Sequence, residues 1–206
     1  NKLLKELYLH PDYREVLDVL DMQLVQYGSA LIQRRQTFAE ELGEIVHRIH
    51  SQLSGGQEEM ELKYEPNVTV DAFAQMLFAN RERDMRLKTT ATGPHRDDIS
   101  FVVNGVDIRK FGSQGQQRTA ALSLKLSEIE LVKRLIGDTP VLLLDDVLSE
   151  LDSGRQNYLL NSIENIQTLI TCTGLDEFVN HRFSINRIYK VTDGSVTVEN
   201  KQEADR

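Results

Sequence analysis

The first quarter of the chain carries apolar residues at alternating steps of three and four, which is the spacing of one face of an α-helix. The pattern skips a layer at Arg34 and Arg35 and otherwise comprises Leu17, Leu20, Leu24, Tyr27, Leu31, Phe38, Leu42, Ile45 and Ile49. It predicts a helix over 12–53, about 60 Å long at 1.5 Å per residue, which could kink near Gly28. Such a helix either lies buried in a helical hairpin within one domain or projects as an arm, and the spacing fits both.

Apolar runs and turn residues predict a further series of strands and helices. In chain order they are a strand at 60–64, a helix at 72–88 capped by Asp71, a hairpin at 99–108 around Asn104-Gly105, a loop at 110–115, a helix at 116–136, a strand at 141–144, a helix at 153–166, a strand at 168–172 and a hairpin at 187–198 around Asp193-Gly194. The unbroken apolar run at 141–144 is typical of a strand buried on both faces. Helices alternating with short apolar strands indicate a parallel α/β core in the second half.

Basic residues gather at the end of the helix predicted at 72–88. They are interleaved with acids, so that Glu82–Arg86 and Asp84–Lys88 fall at the i,i+4 spacing of helical ion pairs. This spacing favours a solvated, self-paired face over a DNA-contact face.

Composition narrows the class of protein without identifying it. The 206 residues are 40% apolar and 27% charged, which suits one large folded domain or two modest ones. No run approaches the roughly 20 apolar residues that cross a bilayer, and no secretory leader is expected. The single cysteine, Cys172, excludes a multi-cysteine zinc site and favours a reducing, cytoplasmic location. Because the net charge of −8 is spread over both halves, a DNA partner would need a local positive patch or an assembly.

The strongest chemical signal is a pair of acids, Asp145 and Asp146, directly after the strand predicted at 141–144. Open α/β sheets bind their ligands at the carboxyl ends of the strands. In phosphate-handling ATPases the first acid at such a strand end holds Mg²⁺, and a second acid can orient or deprotonate the attacking water. Adjacent carboxylates repel each other, so the pair is costly unless a cation or a reaction uses it.

A glycine-punctuated segment upstream opens the helix predicted at 116–136. Its sequence is Phe111-Gly112-Ser113-Gln114-Gly115-Gln116-Gln117-Arg118. Backbone N–H groups, the Ser113 hydroxyl and the helix N-terminus could all face an anion there. Gln116 precedes Asp145 by 29 residues, the length of one helix and a turn, and Ser149-Glu150-Leu151-Asp152 follows the acids closely.

Together these motifs resemble the C-terminal half of an ABC-type ATPase of the SMC/Rad50 kind. Residues 112–116 match the signature loop, Asp145 the Walker B acid, Asp146 the catalytic-acid position and 149–152 the D-loop. With Thr92-Gly93-Pro94-His95-Arg96-Asp97-Asp98 included, the motifs are more similar still to the RecF family of bacterial recombination-mediator ATPases. The resemblance covers about 1–198. It implies an α/β fold in which a helical lobe, 1–90, precedes the C-terminal part of an ATPase head, 91–206, with a mostly parallel sheet and flanking helices.

The family resemblance also implies a function and a set of site residues. It implies a slow ATPase that holds ATP and Mg²⁺ between two subunits, binds single-stranded, double-stranded and gapped DNA, and helps load a recombinase with RecO and RecR. Asp145 would hold the metal and Asp146 would be catalytic, while the nucleotide would be contacted by Ser113, Gln114, Gly115, Gln116 and Asp152. The alternatives are another SMC/Rad50-like head ATPase, or a non-enzymatic helical adaptor with a degenerate ATPase module.

Three features depart from the patterns of ABC-type ATPases, and one segment imitates them. Asp146 stands where transporters carry Glu, so its carboxylate reaches one methylene less far, which fits slow hydrolysis. The segment Leu53-Ser54-Gly55-Gly56-Gln57 spells the transporter signature, but it closes a helix 88 residues before Asp145, so we interpret it as a C-cap and loop without a ligand. No G-x-x-x-x-G-K-[ST] P-loop occurs, which leads us to expect a fragment that is inactive by itself. Thr173 stands where transporters carry a switch histidine, so a γ-phosphate contact from that loop is not expected.

The histidines do not suggest a metal site. His47 and His50 lie three residues apart on the long helix, where a surface or seam position is expected rather than a ligand pair. His95 belongs to the turn Pro94-His95-Arg96, which could position a strand or meet DNA or nucleotide.

Overall fold

The structure is a computed structural model that describes residues 1–7, 10, 13–148, 151–173 and 186–199. The chain forms two compact units, Asn1–Thr139 and Pro140–Arg206. The predicted division into a helical lobe at 1–90 and an ATPase part at 91–206 stays a prediction. Within the described residues, no helix has both the length and the apolar character needed to span a membrane.

The secondary structure follows the predicted series of elements with shifted boundaries. The helices are α1 (Lys2–Glu6), α2 (Arg14–Leu53), α3 (Val70–Ala79), α4 (Arg81–Leu87), α5 (Ile108–Phe111), α6 (Gln114–Ile136) and α7 (Ser153–Ser162), with a 3₁₀ turn at Pro94–Arg96. The strands are β1 (Met60–Glu65), β2 (Asp98–Val103), β3 (Val106–Asp107), β4 (Leu142–Asp145), β5 (Thr168–Thr171), β6 (Ile188–Thr192) and β7 (Ser195–Glu199). Strands β1, β2 and β3 form an antiparallel sheet, β4 and β5 a parallel pair, and β6 and β7 an antiparallel hairpin.

Helix α2 organises the first unit. It runs without a break through Gly28, and it packs against β1, α3 and α6. The helix is therefore packed within the unit, which agrees with the buried alternative rather than with a projecting arm. At Gly28 an added Cβ would come within 2.6 Å of the Phe73 ring, so glycine permits the close approach of α3.

The predicted seam of α2 is buried in part. Leu17, Leu42, Ile45 and Ile49 are buried, but four seam residues between them are exposed: Leu20, Tyr27, Leu31 and Phe38. The buried face there lies one position further on, where Ile32 joins Phe73 in a core cluster. Steps of three and four fit two neighbouring faces of a helix, and only the position of α3 selects between them.

The helix predicted at 72–88 is two helices in the structure. Helix α3 ends and α4 begins at Asn80, whose side-chain Nδ2 donates to Thr92 Oγ1 over 2.9 Å. The N-cap of α3 is Thr69 and not Asp71, which lies in the first turn of the helix. The break turns α4 so that Arg81 reaches Asp18 and Asp21 on α2.

The second unit contains the parallel pair β4–β5 with α7. Leu144, Leu159 and Ile163 are buried, whereas Leu143 and Leu169, which face each other in register, are exposed. The prediction that 141–144 is buried on both faces is therefore wrong for the described residues. An apolar run indicates only that both faces of the strand are suited to burial. Burial of the second face also requires other residues to pack against it.

Candidate functional site

The glycine-punctuated segment forms a capped helix N-terminus. Ser113 is the N-cap of α6, and its Oγ accepts a hydrogen bond from the Gln116 amide over 3.2 Å. In return the Gln116 side-chain Oε1 accepts from the Ser113 amide over 3.0 Å. This reciprocal arrangement is a capping box, and its Ser-x-x-Gln spacing was visible in the sequence.

Capping moves the start of the helix relative to the prediction. Gln114 and Gly115, expected in a loop, form the first turn of α6. The short helix α5 ends at Phe111, so only Gly112 and Ser113 separate the two helices. Gly112 makes the tight passage between the two helices. An added Cβ at Gly112 would lie 2.6 Å from the Ile108 carbonyl oxygen, so no other residue fits without displacing α5.

The same helix end is able to receive an anion. Ser113, Gln114 and Gly115 are exposed, and the positive end of the helix dipole lies there. Because Ser113 Oγ uses a lone pair to cap the helix, its hydroxyl proton stays free to donate. The amides of Gln114 and Gly115 have no intrahelical acceptor at these positions of the first turn.

Asp145 and Asp146 lie at the carboxyl end of β4, where the sequence places them. Thr171 on the parallel neighbour β5 donates its hydroxyl to Asp145 Oδ1, and the Asp146 amide donates to the Thr171 carbonyl oxygen over 3.1 Å. Both acids are exposed, and Asp146 has a φ of 52°. The positive φ turns the chain away from the strand immediately after Asp145, so consecutive acids do not simply alternate across the sheet.

Asp152 has a structural role that the sequence did not single out. It is the N-cap of α7, and its Oδ1 accepts from the amides of Gly154 (3.0 Å) and Arg155 (3.1 Å). These bonds, led by the one from Arg155, lower the pKa of Asp152 below its usual value. The neighbouring D-loop positions Ser149 and Glu150 lie outside the described residues.

The transporter-like segment at 53–57 ends α2 and leads into β1, as expected for a C-cap and loop. Ser54 stabilises this loop through its hydroxyl, which donates to the Ser51 carbonyl oxygen (3.2 Å) and accepts from the Glu58 amide (3.2 Å). The loop presents Glu58, which sequence reasoning missed. Glu58 Oε1 accepts from Gln116 Nε2 over 2.9 Å, so the two glycine-rich loops are in contact.

Asp97 is a second residue that sequence reasoning missed, since no pattern distinguishes it from Asp98. Its side chain is buried, and it accepts from the Tyr64 hydroxyl and from the Asn67 amide (2.9 Å) as well as pairing with Arg35 (3.0 Å). Burial, followed by the hydrogen bond to Asp97, raises the pKa of Tyr64 to about 12. Arg35 also donates to the Pro94 carbonyl oxygen, so Asp97 and Arg35 hold the Pro94–Arg96 turn in place.

The turn presents two side chains outward. His95 and Arg96 are exposed, and His95 Nε2 lies 2.8 Å from the Thr90 carbonyl oxygen, which fixes the ring against the preceding loop. The geometry assigns the turn a structural connection to α2, and it leaves Arg96 accessible.

The predicted self-pairing of α4 is wrong. In the described residues neither Glu82–Arg86 nor Asp84–Lys88 forms an ion pair. Asp84 is buried instead and accepts from the Ala91 amide over 3.2 Å. Because the Asp84 carboxylate is buried against this loop, it does not pair with a basic side chain on the helix surface. The basic side chains towards the end of α4 face solvent.

The structure places the predicted site residues in two groups. Ser113 and Gln116 belong to the first unit, and Asp145, Asp146 and Asp152 to the second. No cluster of three or more His, Cys, Asp or Glu able to hold a metal occurs in the part of the chain that the structure describes. His50 is fully buried and bonded to Ser123 and Glu58, in keeping with a seam position.

Comparison with known proteins identifies the relatives of this chain. No family model matches. The chain is 57% identical over 202 residues to the DNA replication and repair protein RecF of Lachnospira eligens, covering 97% of this chain and 56% of that protein. It is 58% identical over 198 residues to RecF of Agathobacter rectalis, covering 96% of this chain and 55% of that protein.

Two solved structures share the fold. One, described as the recombination mediator protein RecF-ATP in the RecFOR pathway, has a TM-score of 0.83 at 32% identity and covers 97% of this chain and 54% of its own. The other, described as RecF-ATPrS in the same pathway, has a TM-score of 0.81 at 32% identity and covers 96% of this chain and 54% of its own.

The fold is therefore the predicted α/β fold of part of an ABC-type ATPase head. The particular protein that the chain resembles is RecF, and the predicted resemblance is confirmed. The chain spans about half the length of the curated relatives that it matches.

Proposed function

We propose that this chain works as part of a RecF-like ATPase in which two subunits enclose ATP and bind DNA during recombinational repair. The observation that carries this proposal is the exposed, doubly capped helix N-terminus at Ser113. A helix end of this kind binds phosphate, and its exposure suits contact with a nucleotide held by another subunit.

The nucleotide would be shared between two kinds of loop. Ser113 donates its hydroxyl to the γ-phosphate, and the Gln114 and Gly115 amides add two further donors. The 206 residues contain no P-loop, so the remaining phosphate contacts come from elsewhere in the assembly. We expect the chain by itself to bind ATP weakly.

The acids after β4 supply the hydrolytic chemistry of the proposal. Asp145 is the Mg²⁺ ligand, and the hydrogen bond from Thr171 orients its carboxylate. Asp146 orients or deprotonates the attacking water. The aspartate side chain reaches one methylene less far than the glutamate of transporters, which is consistent with slow turnover.

DNA would be held in part by the basic surface of α4 and its C-cap. Arg83, Arg86 and Lys88 are exposed, and the acids expected to pair with Arg86 and Lys88 do not form those ion pairs. Arg/Lys surfaces of this kind bind the phosphate backbone without reading sequence. The partners RecO and RecR enter the proposal through the resemblance to RecF alone.

The experiment is sedimentation velocity of the full-length protein with and without Mg-ATP. Ser113→Arg is expected to abolish ATP-dependent dimerisation while monomer ATP binding, measured by calorimetry, is retained. A bulky cation at the helix N-terminus blocks the phosphate site and opposes the helix dipole. Unchanged dimerisation of this variant would contradict the proposed role of the α6 N-terminus.

A further inference from the structure

A chain of hydrogen bonds connects the end of α2 to the loop at Ser113. His50 on α2 lies 3.1 Å from Glu58 Oε2, and Gln116 Nε2 donates to the other oxygen of the same carboxylate. Gln116 Oε1 then accepts from the Ser113 amide. Glu58 therefore contacts the capping box directly, because Gln116 is one of the two residues that form it.

The donors and acceptors in this series of hydrogen bonds allow only one orientation of the Gln116 amide group. Its Oε1 faces the Ser113 N–H and its Nε2 faces a carboxylate oxygen, so a flipped amide would place donor against donor and acceptor against acceptor. Glu58 therefore selects the orientation in which Gln116 caps the helix.

His50 fixes Glu58 in the same way. His50 Nδ1 lies 3.0 Å from the Ser123 hydroxyl oxygen, and this contact anchors one side of the buried ring. The other ring nitrogen faces the Glu58 carboxylate. The fully buried His50 ring, 3.1 Å from Glu58 Oε2, thereby holds the Glu58 carboxylate, whose side chain is 20% exposed.

We propose that Glu58 is a positioning residue for the phosphate-binding loop at Ser113, acting through Gln116. The inference rests on the proposed function for the identity of the ligand, but the positioning itself is a property of the first unit. On this proposal the segment at 53–58 contributes to the site by positioning Gln116. The loop that presents Glu58 and the loop that Glu58 orients are both attached to long helices, α2 and α6, which pack together.

Four variants of the full-length protein test the proposal. Glu58→Gln keeps the size of the side chain but can satisfy only one of its two donors. Glu58→Gln combined with Gln116→Glu restores the contact with its polarity reversed, because the new amide at position 58 would accept from His50 and donate to a carboxylate at position 116 that still caps Ser113. Gln116→Glu alone places two carboxylates in contact. Glu59→Gln is the matched control, since Glu59 is an exposed neighbour.

The first readout is hydrogen exchange of the segment 111–118, which reports the loop directly. Glu58→Gln is expected to speed exchange of the Ser113 and Gln116 amides roughly fivefold, the effect of losing one hydrogen bond, and the double variant is expected to return it to the wild-type rate. The second readout is ATP-dependent dimerisation, whose dissociation constant is expected to rise by roughly the same factor in Glu58→Gln and to recover in the double variant.

The outcomes separate the inference from the proposed function. Exchange and dimerisation of Glu58→Gln equal to those of Glu59→Gln would overturn the positioning role. So would faster exchange throughout α2 and α6 that the double variant fails to reverse, because that pattern signifies general destabilisation. Rescue of exchange in a protein that never dimerises with ATP would uphold the positioning of the loop and refute the proposed use of it.

Discussion

Arg35 and Asp97 are 62 residues apart in the chain, and Arg35 Nη1 lies 3.0 Å from Asp97 Oδ2. The Asp97 side chain is only 3% exposed, and it also accepts from Tyr64 on β1 and from the Asn67 amide. One carboxylate therefore joins the long helix, the antiparallel sheet and the turn at Pro94–Arg96. The two adjacent acids after Arg96 therefore have different roles. Asp97 is buried in this network, whereas Asp98 is exposed and pairs with Arg109.

Asp97→Asn should lower the free energy of unfolding by about 2 kcal/mol, because Arg35 loses a charged partner and the amide adds a donor among existing donors. Chemical denaturation of the full-length protein measures the change. Asp98→Asn is the control and should alter stability little, since its ion pair is exposed to solvent. Equal effects of the two substitutions would show that Asp97 is not the centre of this network.

Tyr64 should make stability depend on pH in the alkaline range. Its pKa is raised from 10.0 to about 12, so the neutral phenol is favoured in the folded state. The resulting stabilisation is present below pH 10 and is lost as the pH rises from 10 towards 12. Tyr64→Phe lacks this contribution, so the difference in unfolding free energy between wild type and variant should shrink over that range. A difference that stays constant with pH would contradict the assignment.

Gly112→Ala should destabilise the first unit by about 1–3 kcal/mol, because the new methyl group would overlap the Ile108 carbonyl oxygen and push α5 away from α6. The melting temperature measures the effect. Gly115→Ala is the comparison, since the nearest atom to its new Cβ is the Ser113 hydroxyl oxygen at 3.9 Å and alanine favours the helix. A melting temperature lowered only by the Gly115 substitution would be inconsistent with this packing.

The two acids after β4 should separate binding from hydrolysis. In the full-length protein Asp145→Asn is expected to lose Mg²⁺-dependent ATP hydrolysis, because an amide is a poorer ligand for the cation. Asp146→Asn is expected to keep ATP binding and to accumulate the ATP-bound dimer, because water is no longer activated. Steady-state hydrolysis and sedimentation distinguish the two. Wild-type turnover in Asp146→Asn would assign water activation to another group.

Sequence patterns predicted the local elements well and their surroundings less well. The hairpins at Asn104-Gly105 and Asp193-Gly194 and the strand ending at Asp145 follow from residues adjacent in the chain. The break at Asn80 and the buried face of α2 depend on Thr92 and Phe73, which are distant in sequence. Glu58 and Asp97 were missed for the same reason, because a lone acid has no local pattern that reveals which donors surround it.

The capping box at Ser113 has a consequence for the energetics of ligand binding. A loop that orders only when phosphate arrives must give up conformational entropy at that moment, and the observed affinity is reduced accordingly. Here the Ser113 and Gln116 hydrogen bonds already fix the backbone before any ligand is present. Most of the conformational entropy of this loop is therefore lost during folding rather than on binding. Each hydrogen-bond donor of the loop then contributes more fully to the affinity for phosphate.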